Sequence, residues 1–325
     1  MAQRLFVIYN PGSSQAKAVE KEVLEPIRGL KGWMVGKFKV TSPSVDENAA
    51  ELAKMLGDGD LVVAAGGDGT AAIAANGALL SGKDVTLGAL GYGNSNDLAR
   101  MLGVRRPVDF GGEYVGGVLE IVEKFQAGEV TEMYPLEVMV NWKHWRYVPC
   151  YVTLGLLAEA AAVMDDPRVR KKLRTGKRGA MFSLMTATFW YLKNYRKRKG
   201  EFFPEEANMN EVRMAPGVTD YLAVNGPTVA RLMKVKGGGW WREPEGFGSA
   251  TRRLGGFWKM VGFGLKSVFA RIPLKETKGD VIEFMQASTV EIQAEGEYQR
   301  LEGVKQVEVR KMKRALKVVT RGQGR

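Results

Sequence analysis

The sequence predicts two domains: an N-terminal α/β domain with a doubly wound parallel sheet, and a C-terminal domain of mainly antiparallel strands. At 325 residues the chain is too long for one simple core. Short apolar runs alternate with helix-like segments through the first third of the chain, which is typical of a parallel sheet. After about residue 130 the pattern changes to strict alternation, as in 288-STVEIQAEG-296. We therefore predict domains at 1–132 and 133–314, with 315–325 as a candidate to return to the first domain.

The elements of the first domain follow from apolar runs and from helix start and stop signals. The helix over 44–60 begins with a capping serine, Ser44, and closes on Gly57. In chain order we predict strand 4–9, helix 15–30, strand 34–41, helix 44–60, strand 61–65, helix 70–80 and strand 85–90. The alternating stretches 133–155 and 281–310 supply strands of the second domain, and 315-ALKVVT-320 is a last strand.

The charge distribution indicates a polyanionic partner. The formal net charge is +12. Lysine and arginine concentrate in three segments, 167–199, 231–278 and 305–325, while the rest of the chain is acidic. A basic part and an acidic part on one chain favour binding to a polyanionic surface, and both nucleic acid and anionic lipid fit at this point.

Composition excludes several classes of site. One cysteine, Cys150, cannot form an internal disulfide framework and fits a reducing, cytoplasmic compartment. One histidine, His144, argues against a histidine-built metal site and against a Ser-His-Asp triad, which leaves a carboxylate as the expected catalytic base. No window of 18 residues is apolar and uncharged, so we expect no membrane span. The N-terminal apolar run is too short for a signal peptide and is predicted to be the first strand.

Three polar clusters follow predicted strands: 10-NPGSS-14, 66-GGDGT-70 and 91-GYGNSND-97. Ligands of parallel sheets bind at the carboxyl ends of the strands, where all three clusters are expected. Glycines let backbone N–H groups approach a phosphate, and a following helix N-terminus favours negative charge. The sequence has neither GxxxxGK[ST] nor a GxGxxG that opens the first helix. We therefore predict a phosphate site that is neither a P-loop nor a Rossmann dinucleotide site.

These motifs resemble a known family. The segments 66-GGDGT-70, 76-NG-77 and 93-GNSNDLAR-100 are similar to the catalytic domain shared by diacylglycerol kinases and sphingosine-type lipid kinases. NAD kinases also carry GGDGT, but their second motif differs from GNSNDLAR. In the second domain 155-GLLAEA-160, the basic stretch 171–184 and 295-EGE-297 are similar to further segments of the family.

The resemblance implies ATP-dependent phosphorylation of a lipid hydroxyl, most readily that of diacylglycerol, with Mg²⁺ as the metal. It implies that Asp68 and Asp97 organise the metal, and that Glu297 is the catalytic base with Asp68 and Glu295 in support. The residues that would bind the nucleotide are Asn10, Pro11, Gly12, Ser13, Ser14, Thr41, Gly66, Gly67, Gly69, Thr70, Asn94, Ser95 and Asn96.

Three departures from the family pattern keep alternatives open. Ile73 stands where the family has glutamate, Asn94 where it has threonine, and Leu157 where it has an acidic residue. A sphingosine- or ceramide-type acceptor, an NAD-kinase-like enzyme with a soluble acceptor, and a non-catalytic nucleotide- or lipid-binding homologue all remain compatible with the sequence.

Two segments are candidates for contact with an anionic membrane. The first, 179–195, is apolar with basic flanks, and the second, 237–269, interleaves Trp240, Trp241 and other aromatic residues with Arg and Lys. A core helix and a loop packed on the sheet are the structural alternatives. No nucleic-acid motif accompanies the basic residues, so we expect a lipid partner and not nucleic acid. A homodimer stays open.

Overall fold

The structure of the protein, a computed structural model, describes residues 3–93, 95–104, 117–165, 207–215, 217–229, 233–237, 239–253, 262 and 271–320. The chain divides into two compact units. The first comprises Met1–Pro135, Trp241–Pro244 and Met312–Arg325, and the second comprises Leu136–Trp240 and Glu245–Lys311. Each unit has its own sheet and its own apolar core.

Within the described residues the strands are β1 (Gln3–Tyr9), β2 (Trp33–Lys39), β3 (Leu61–Gly66), β4 (Thr86–Gly91), β5 (Val130–Met133), β6 (Leu136–Val140), β7 (Lys143–Val148), β8 (Tyr151–Gly155), β9 (Ala207–Met209), β10 (Val212–Arg213), β11 (Asp220–Val224), β12 (Thr228–Val229), β13 (Met233–Lys234), β14 (Phe247–Arg252), β15 (Lys275–Thr277), β16 (Gly279–Ala294), β17 (Glu297–Lys311) and β18 (Leu316–Val319). The α-helices are α1 (Ala16–Val19), α2 (Val45–Met55), α3 (Asp68–Leu80), α4 (Asp97–Met101), α5 (Val118–Gln126) and α6 (Leu156–Asp165).

The first unit is built on a six-stranded sheet in the order β2-β1-β3-β4-β18-β5. β1 pairs in parallel with β2 and β3, and β3 pairs in parallel with β4. The strands form because their apolar runs are buried, with Leu5, Val7, Leu61 and Val63 fully inaccessible. β18, from the end of the chain, is parallel to β4, and β5 is antiparallel to β18. The predicted α/β fold is confirmed, with β5 as an antiparallel edge strand.

The single helix predicted over 15–30 is wrong in detail. α1 is followed by a π-helical turn, Glu20–Leu24, and by a 3-10 turn, Pro26–Gly29. Proline lacks an N–H and its ring clashes with the carbonyl four residues earlier, so a regular α-helix does not continue through Pro26. The segment nevertheless packs on the sheet through Val19, Val23 and Ile27.

Helices α2 and α3 pack against each other in the first unit. Ser44 caps α2, as predicted, because its Oγ accepts a hydrogen bond from the N–H of Glu47 at 3.3 Å. Gly77 allows the two helices to approach closely, since a Cβ at this position would lie 2.7 Å from a methyl carbon of Leu52. This packing holds α3 in place, and α3 begins at Asp68.

The second unit contains a ten-stranded sheet whose main path is β15-β14-β11-β8-β16-β17-β6-β7, with β9 and β10 joined beside β16. The pairs along this path are antiparallel. The apolar core of the unit includes Val152, Leu154, Tyr221 and Phe247, and α6 packs on β8, β16 and β17. The predicted antiparallel architecture of the second half is confirmed.

The two tryptophans of the second candidate membrane segment are buried, which favours the alternative of a packed loop at these two positions. Trp240 is 8% exposed and Trp241 is 5% exposed. The ring of Trp240 lies against Gly248 of β14, where a Cβ would come within 2.5 Å of it. Glycine at position 248 therefore makes room for the indole of Trp240 within the second unit. The structure does not describe residues 179–195 of the first candidate membrane segment. In the second segment it does not describe 254–261 and 263–269. No helix in the described ranges is long and apolar enough to cross a membrane.

Candidate active site

The three polar clusters of the first unit follow β1, β3 and β4. In the sheet Ile8 pairs with Ala64, and Gly66 pairs with Gly91. Because the three strands are parallel neighbours, their carboxyl ends meet at one edge. The N–H of Tyr92 donates to the carbonyl of Gly66 at 2.8 Å, which holds the second and third clusters side by side.

Gly67 and Gly93 let two of these loops touch backbone to backbone. A Cβ on Gly93 would lie 2.3 Å from Cα of Gly67, and a Cβ on Gly67 would lie 3.1 Å from Cα of Gly93. Real side chains do not tolerate the shorter of these distances, so the contact requires glycine. The packing of the loops therefore demands these glycines independently of any phosphate.

Asp68 ties the second loop to the third. Its Oδ2 accepts a hydrogen bond from the N–H of Asn96 at 3.0 Å, and its Oδ1 accepts one from the N–H of Asp97 at 2.6 Å. Asn96 has a φ of 55°, a conformation that asparagine tolerates. Its side chain brackets Gly93, accepting from the N–H at 2.7 Å and donating to the carbonyl at 2.9 Å. The structure thus brings Asp68, Asn96 and Asp97 together, as predicted, where the second loop contacts the third.

The electrostatics of Asp68 fit a metal-binding carboxylate. Burial raises the pKa of Asp68, while the N–H groups of Asp97 and Asn96 and the charge of Arg100 lower it. A nearby cation would offset the cost of burying this charge. Mg²⁺ binds carboxylate oxygens while keeping several waters. The Asp68 carboxylate has about four lone-pair sites, and two N–H donors from the third loop occupy two of them, so acceptor capacity is left for a cation. The residues therefore fit Mg²⁺ at Asp68.

Asp97 is 2% exposed, and its role toward a metal ion stays a prediction. Among the described residues, no group of three or more His, Cys, Asp or Glu side chains is arranged to hold a metal ion. Any ion at this edge would therefore depend on water and substrate oxygens for most of its coordination.

The other residues predicted to bind the nucleotide differ in their exposure to solvent and in their hydrogen bonds. Oδ1 of Asn10 accepts from the N–H of Gly12 at 2.8 Å and so shapes the first loop. Thr41 is exposed, and its N–H donates to Asn48 Oδ1 at 3.1 Å. Pro11, Gly12, Ser13 and Ser14 are exposed, Gly66, Gly67, Gly69 and Ser95 are half-buried, Thr70 is buried, and Asn94 lies outside the described residues. Their roles toward a nucleotide stay predictions.

Glu295 and Glu297 lie in the second unit, where β16 turns into β17. Glu295 and Gly296 form a two-residue turn, with φ values of 52° and 84°. Glu295 is 3% exposed, and its Oε1 accepts from the N–H groups of Cys150 at 2.5 Å and Tyr151 at 3.3 Å. The side chain of Glu297 is 28% exposed and forms an ion pair with Arg146. Of the two carboxylates, Glu297 is the more accessible to a substrate.

The sequence prediction missed two buried charged residues of the second unit, Arg146 and Asp220, which are both 0% exposed. Asp220 accepts hydrogen bonds from the N–H of Leu157 and the hydroxyl of Thr219, each at 2.6 Å. Burial raises the pKa of Asp220 to about 7. Leu157 is 63 positions from Asp220, and the partner of Arg146 is 151 positions away, so no local pattern reveals these contacts. The sequence signal that could have revealed these buried residues is a charged side chain inside a run that is otherwise typical of a strand.

Comparisons with known proteins find relatives of the first part of the chain. Residues 4–130 match the model of the diacylglycerol kinase catalytic domain. A segment of 106 residues is 33% identical to the diacylglycerol kinase of Bacillus subtilis (strain 168) and covers 32% of this chain and 34% of that protein. The alignment thus spans about a third of the length of this curated relative.

Solved structures share the fold over nearly the whole chain. A structure of a diacylglycerol kinase from Bacillus anthracis str. Sterne aligns with 99% of this chain and 97% of its own, with a TM-score of 0.65 and 17% identity. A second structure from the same organism aligns with 99% and 98% of the two chains, with a TM-score of 0.65 and 16% identity.

The segment that matches the family model contains the three loops at the edge of the first sheet. It includes the contact between Gly67 and Gly93 and the Asp68 carboxylate that joins the loops. Residues 4–130 of this chain are therefore similar to the diacylglycerol kinase catalytic domain.

Proposed function

We propose that the protein is an ATP-dependent lipid kinase that phosphorylates diacylglycerol to phosphatidate, acting peripherally at an anionic membrane surface in the cytoplasm. The observation that carries the proposal is the Asp68 carboxylate, held by two backbone N–H groups between two glycine loops at the edge of a parallel sheet. The N-terminus of α3, at the same place, favours bound anions such as phosphate. The family model that residues 4–130 match supports ATP as the donor, and the name of the B. subtilis relative supports diacylglycerol as the acceptor.

In the proposed reaction the acceptor oxygen forms a bond to the γ-phosphorus, the bond from that phosphorus to the β,γ-bridging oxygen breaks, and ADP leaves. The glycine loops bind the phosphates through backbone N–H groups, and Asp68 orients the metal. Mg²⁺, when bound, neutralises charge on the phosphate oxygens. Glu297 accepts the proton of the lipid hydroxyl as general base.

The test is a transfer assay with radiolabelled ATP, Mg²⁺ and a panel of diacylglycerol, sphingosine, ceramide and NAD. We expect labelled phosphatidate, and we expect Asp68→Asn to lower kcat at least about 100-fold because the amide lacks the charge that orients the metal. Circular dichroism checks that the variant is folded. Asp58→Asn is the matched control, because Asp58 is an exposed aspartate of the same unit that accepts from the N–H of Asp84; it should keep wild-type turnover.

Each other outcome selects an alternative. Label in NAD alone would indicate a soluble acceptor, and label in sphingosine or ceramide alone would change the lipid class. ATP binding without transfer to any acceptor would indicate a non-catalytic homologue. Wild-type turnover in Asp68→Asn would show that the assignment of the site is wrong.

The net charge of +12 supports the anionic surface as partner. Flotation with vesicles of phosphatidylcholine, with and without phosphatidylglycerol, tests this part separately. We expect binding that requires the anionic lipid and weakens with added salt. Equal flotation with both vesicle types, or none with either, would contradict it.

A further inference from the structure

β7 carries a bulge that turns Arg146 into the interior of the second unit. Met139 of β6 pairs with His144, and Val138 pairs with Arg146, so Trp145 is an extra residue at the shift in register. The bulge places Arg146 opposite Val138, which is fully buried, and Arg146 itself is 0% exposed. Bulges re-aim side chains in this way and are frequent beside functional sites.

Both residues of the bulge contact the same face of β17. Arg146 Nη1 donates to Glu297 Oε2 at 3.2 Å, and Trp145 Nε1 donates to Gln299 Oε1 at 3.2 Å. Glu297 and Gln299 are two positions apart on one strand, so their side chains leave the same side of it. The guanidinium of Arg146 also lies over the Trp145 ring, with Cζ 4.7 Å from its centroid. The indole and the surrounding strands thus fix the guanidinium, and the guanidinium contacts the carboxylate.

The two ends of this ion pair differ in exposure. Arg146 is fully buried, whereas the side chain of Glu297 is 28% exposed. A buried guanidinium is costly unless acceptors compensate its charge, and the Glu297 carboxylate is one such acceptor. The carboxylate therefore has one buried anchor and still reaches solvent, which is the arrangement that a positioned general base requires.

We propose that Arg146 is a positioning residue for Glu297: it holds the carboxylate in one orientation and in its ionised form, ready to accept the proton of the acceptor hydroxyl. This inference rests on the proposed function, in which Glu297 is the general base. Arg146 acts through Glu297, and the proposal assigns it no contact with substrate.

The experiment measures kcat and KM for ATP and for the lipid acceptor in mixed micelles, over about pH 5 to 9. In Arg146→Met we expect kcat to fall about 100-fold, with KM for ATP within about twofold of wild type, because a misplaced base affects the transition state and not nucleotide binding. The acid limb of the pH profile should move to higher pH, because the carboxylate has lost the cation that favours its ionised form. A merely structural loss would lower the active fraction at every pH without moving this limb.

Arg310→Met is the matched control. Arg310 lies on β17 and pairs with Glu137 of β6 through Nε and Nη2, each at 2.9 Å, so the substitution removes the same charge and an ion pair from the same sheet. We expect wild-type kcat and pH profile. Arg146→Lys keeps the positive charge but places it differently. We expect the acid limb of its pH profile to match wild type, while its kcat stays about tenfold below the wild-type value.

The outcomes separate the two proposals. An active wild type together with a folded Arg146→Met that has wild-type kcat and pH profile would overturn the positioning role and leave the proposed function intact. A wild type that phosphorylates no acceptor would overturn both. If Arg146→Met does not fold, Arg146→Lys decides, and wild-type kcat in the lysine variant would overturn the claim that the guanidinium positions the base.

Discussion

Replacing Asp220 with asparagine should remove a pH dependence from the stability of the second unit. Asp220 is inaccessible, and burial raises its pKa from the ordinary 3.8 to about 7. The hydrogen bonds from Thr219 and Leu157 lower the pKa and so offset part of this effect. The charge of Glu159 raises the pKa further, and that of Arg252 lowers it. The folded protein therefore keeps a proton on Asp220 in a range of pH in which the unfolded chain has lost it.

The sign and size follow from this difference. Between about pH 4 and pH 7 the folded state binds more protons than the unfolded state, so stability falls as pH rises and the full cost is present above about pH 7. A rise from 3.8 to about 7 corresponds to at most about 4 kcal/mol, at about 1.4 kcal/mol per pH unit. Asparagine carries no charge and still offers an oxygen to the N–H of Leu157, so Asp220→Asn avoids this cost.

Urea unfolding of wild type and Asp220→Asn, followed by circular dichroism at several values between about pH 4 and pH 8, measures the effect. The free energy of unfolding of the variant, relative to wild type, should increase as pH rises through this range, by up to about 4 kcal/mol. Asp58→Asn provides a control of opposite sign, because the N–H of Asp84 lowers the pKa of Asp58, whose stabilisation is present at neutral pH and lost in acid. A difference between wild type and Asp220→Asn that does not vary with pH would refute the reasoning.

Two further substitutions test the packing around the candidate site. Gly93→Ala should lower kcat/KM for ATP at least about tenfold and cost about 1–3 kcal/mol of stability, because the new Cβ would lie 2.3 Å from Cα of Gly67. Gly29→Ala is its control, since a Cβ there meets nothing within 4 Å; equal kinetics and stability in the two variants would contradict the close contact. Glu295→Ala should lower the free energy of unfolding by about 1–3 kcal/mol, because it leaves the N–H groups of Cys150 and Tyr151 without their carboxylate acceptor. Urea unfolding with an unchanged midpoint would show that these hydrogen bonds do not matter.

Apart from β5, the strands of the first sheet could be predicted because local composition decides them. The run 61-LVVAA-65 is apolar and β-prone, and the strand observed there is Leu61–Gly66. The prediction for 85–90 differs by one residue at each end from the observed Thr86–Gly91. In both cases a glycine that cannot pack ends the strand, and this signal is contained in a few adjacent residues.

Contacts between distant segments could not be predicted in the same way. The burial of Arg146 depends on a bulge in β7 and on a carboxylate 151 positions away, and simple alternation of polar and apolar residues encodes neither. Trp240 resembles a surface aromatic because glycines and cations surround it in the sequence. Its room in the interior comes from Gly248 on β14, and a window of neighbouring residues does not show that these two positions meet.

The position of β18 has a consequence for biosynthesis. This strand lies between β4 and β5 in the first sheet, although β5 ends at Met133 and β18 begins at Leu316. A growing chain therefore exposes strand edges on β4 and β5 throughout the translation of the second unit, and exposed edges pair readily with other chains. A ribosome that stalls before Leu316 would release a first unit with an open sheet, so incomplete chains of this protein are expected to aggregate or to require a chaperone.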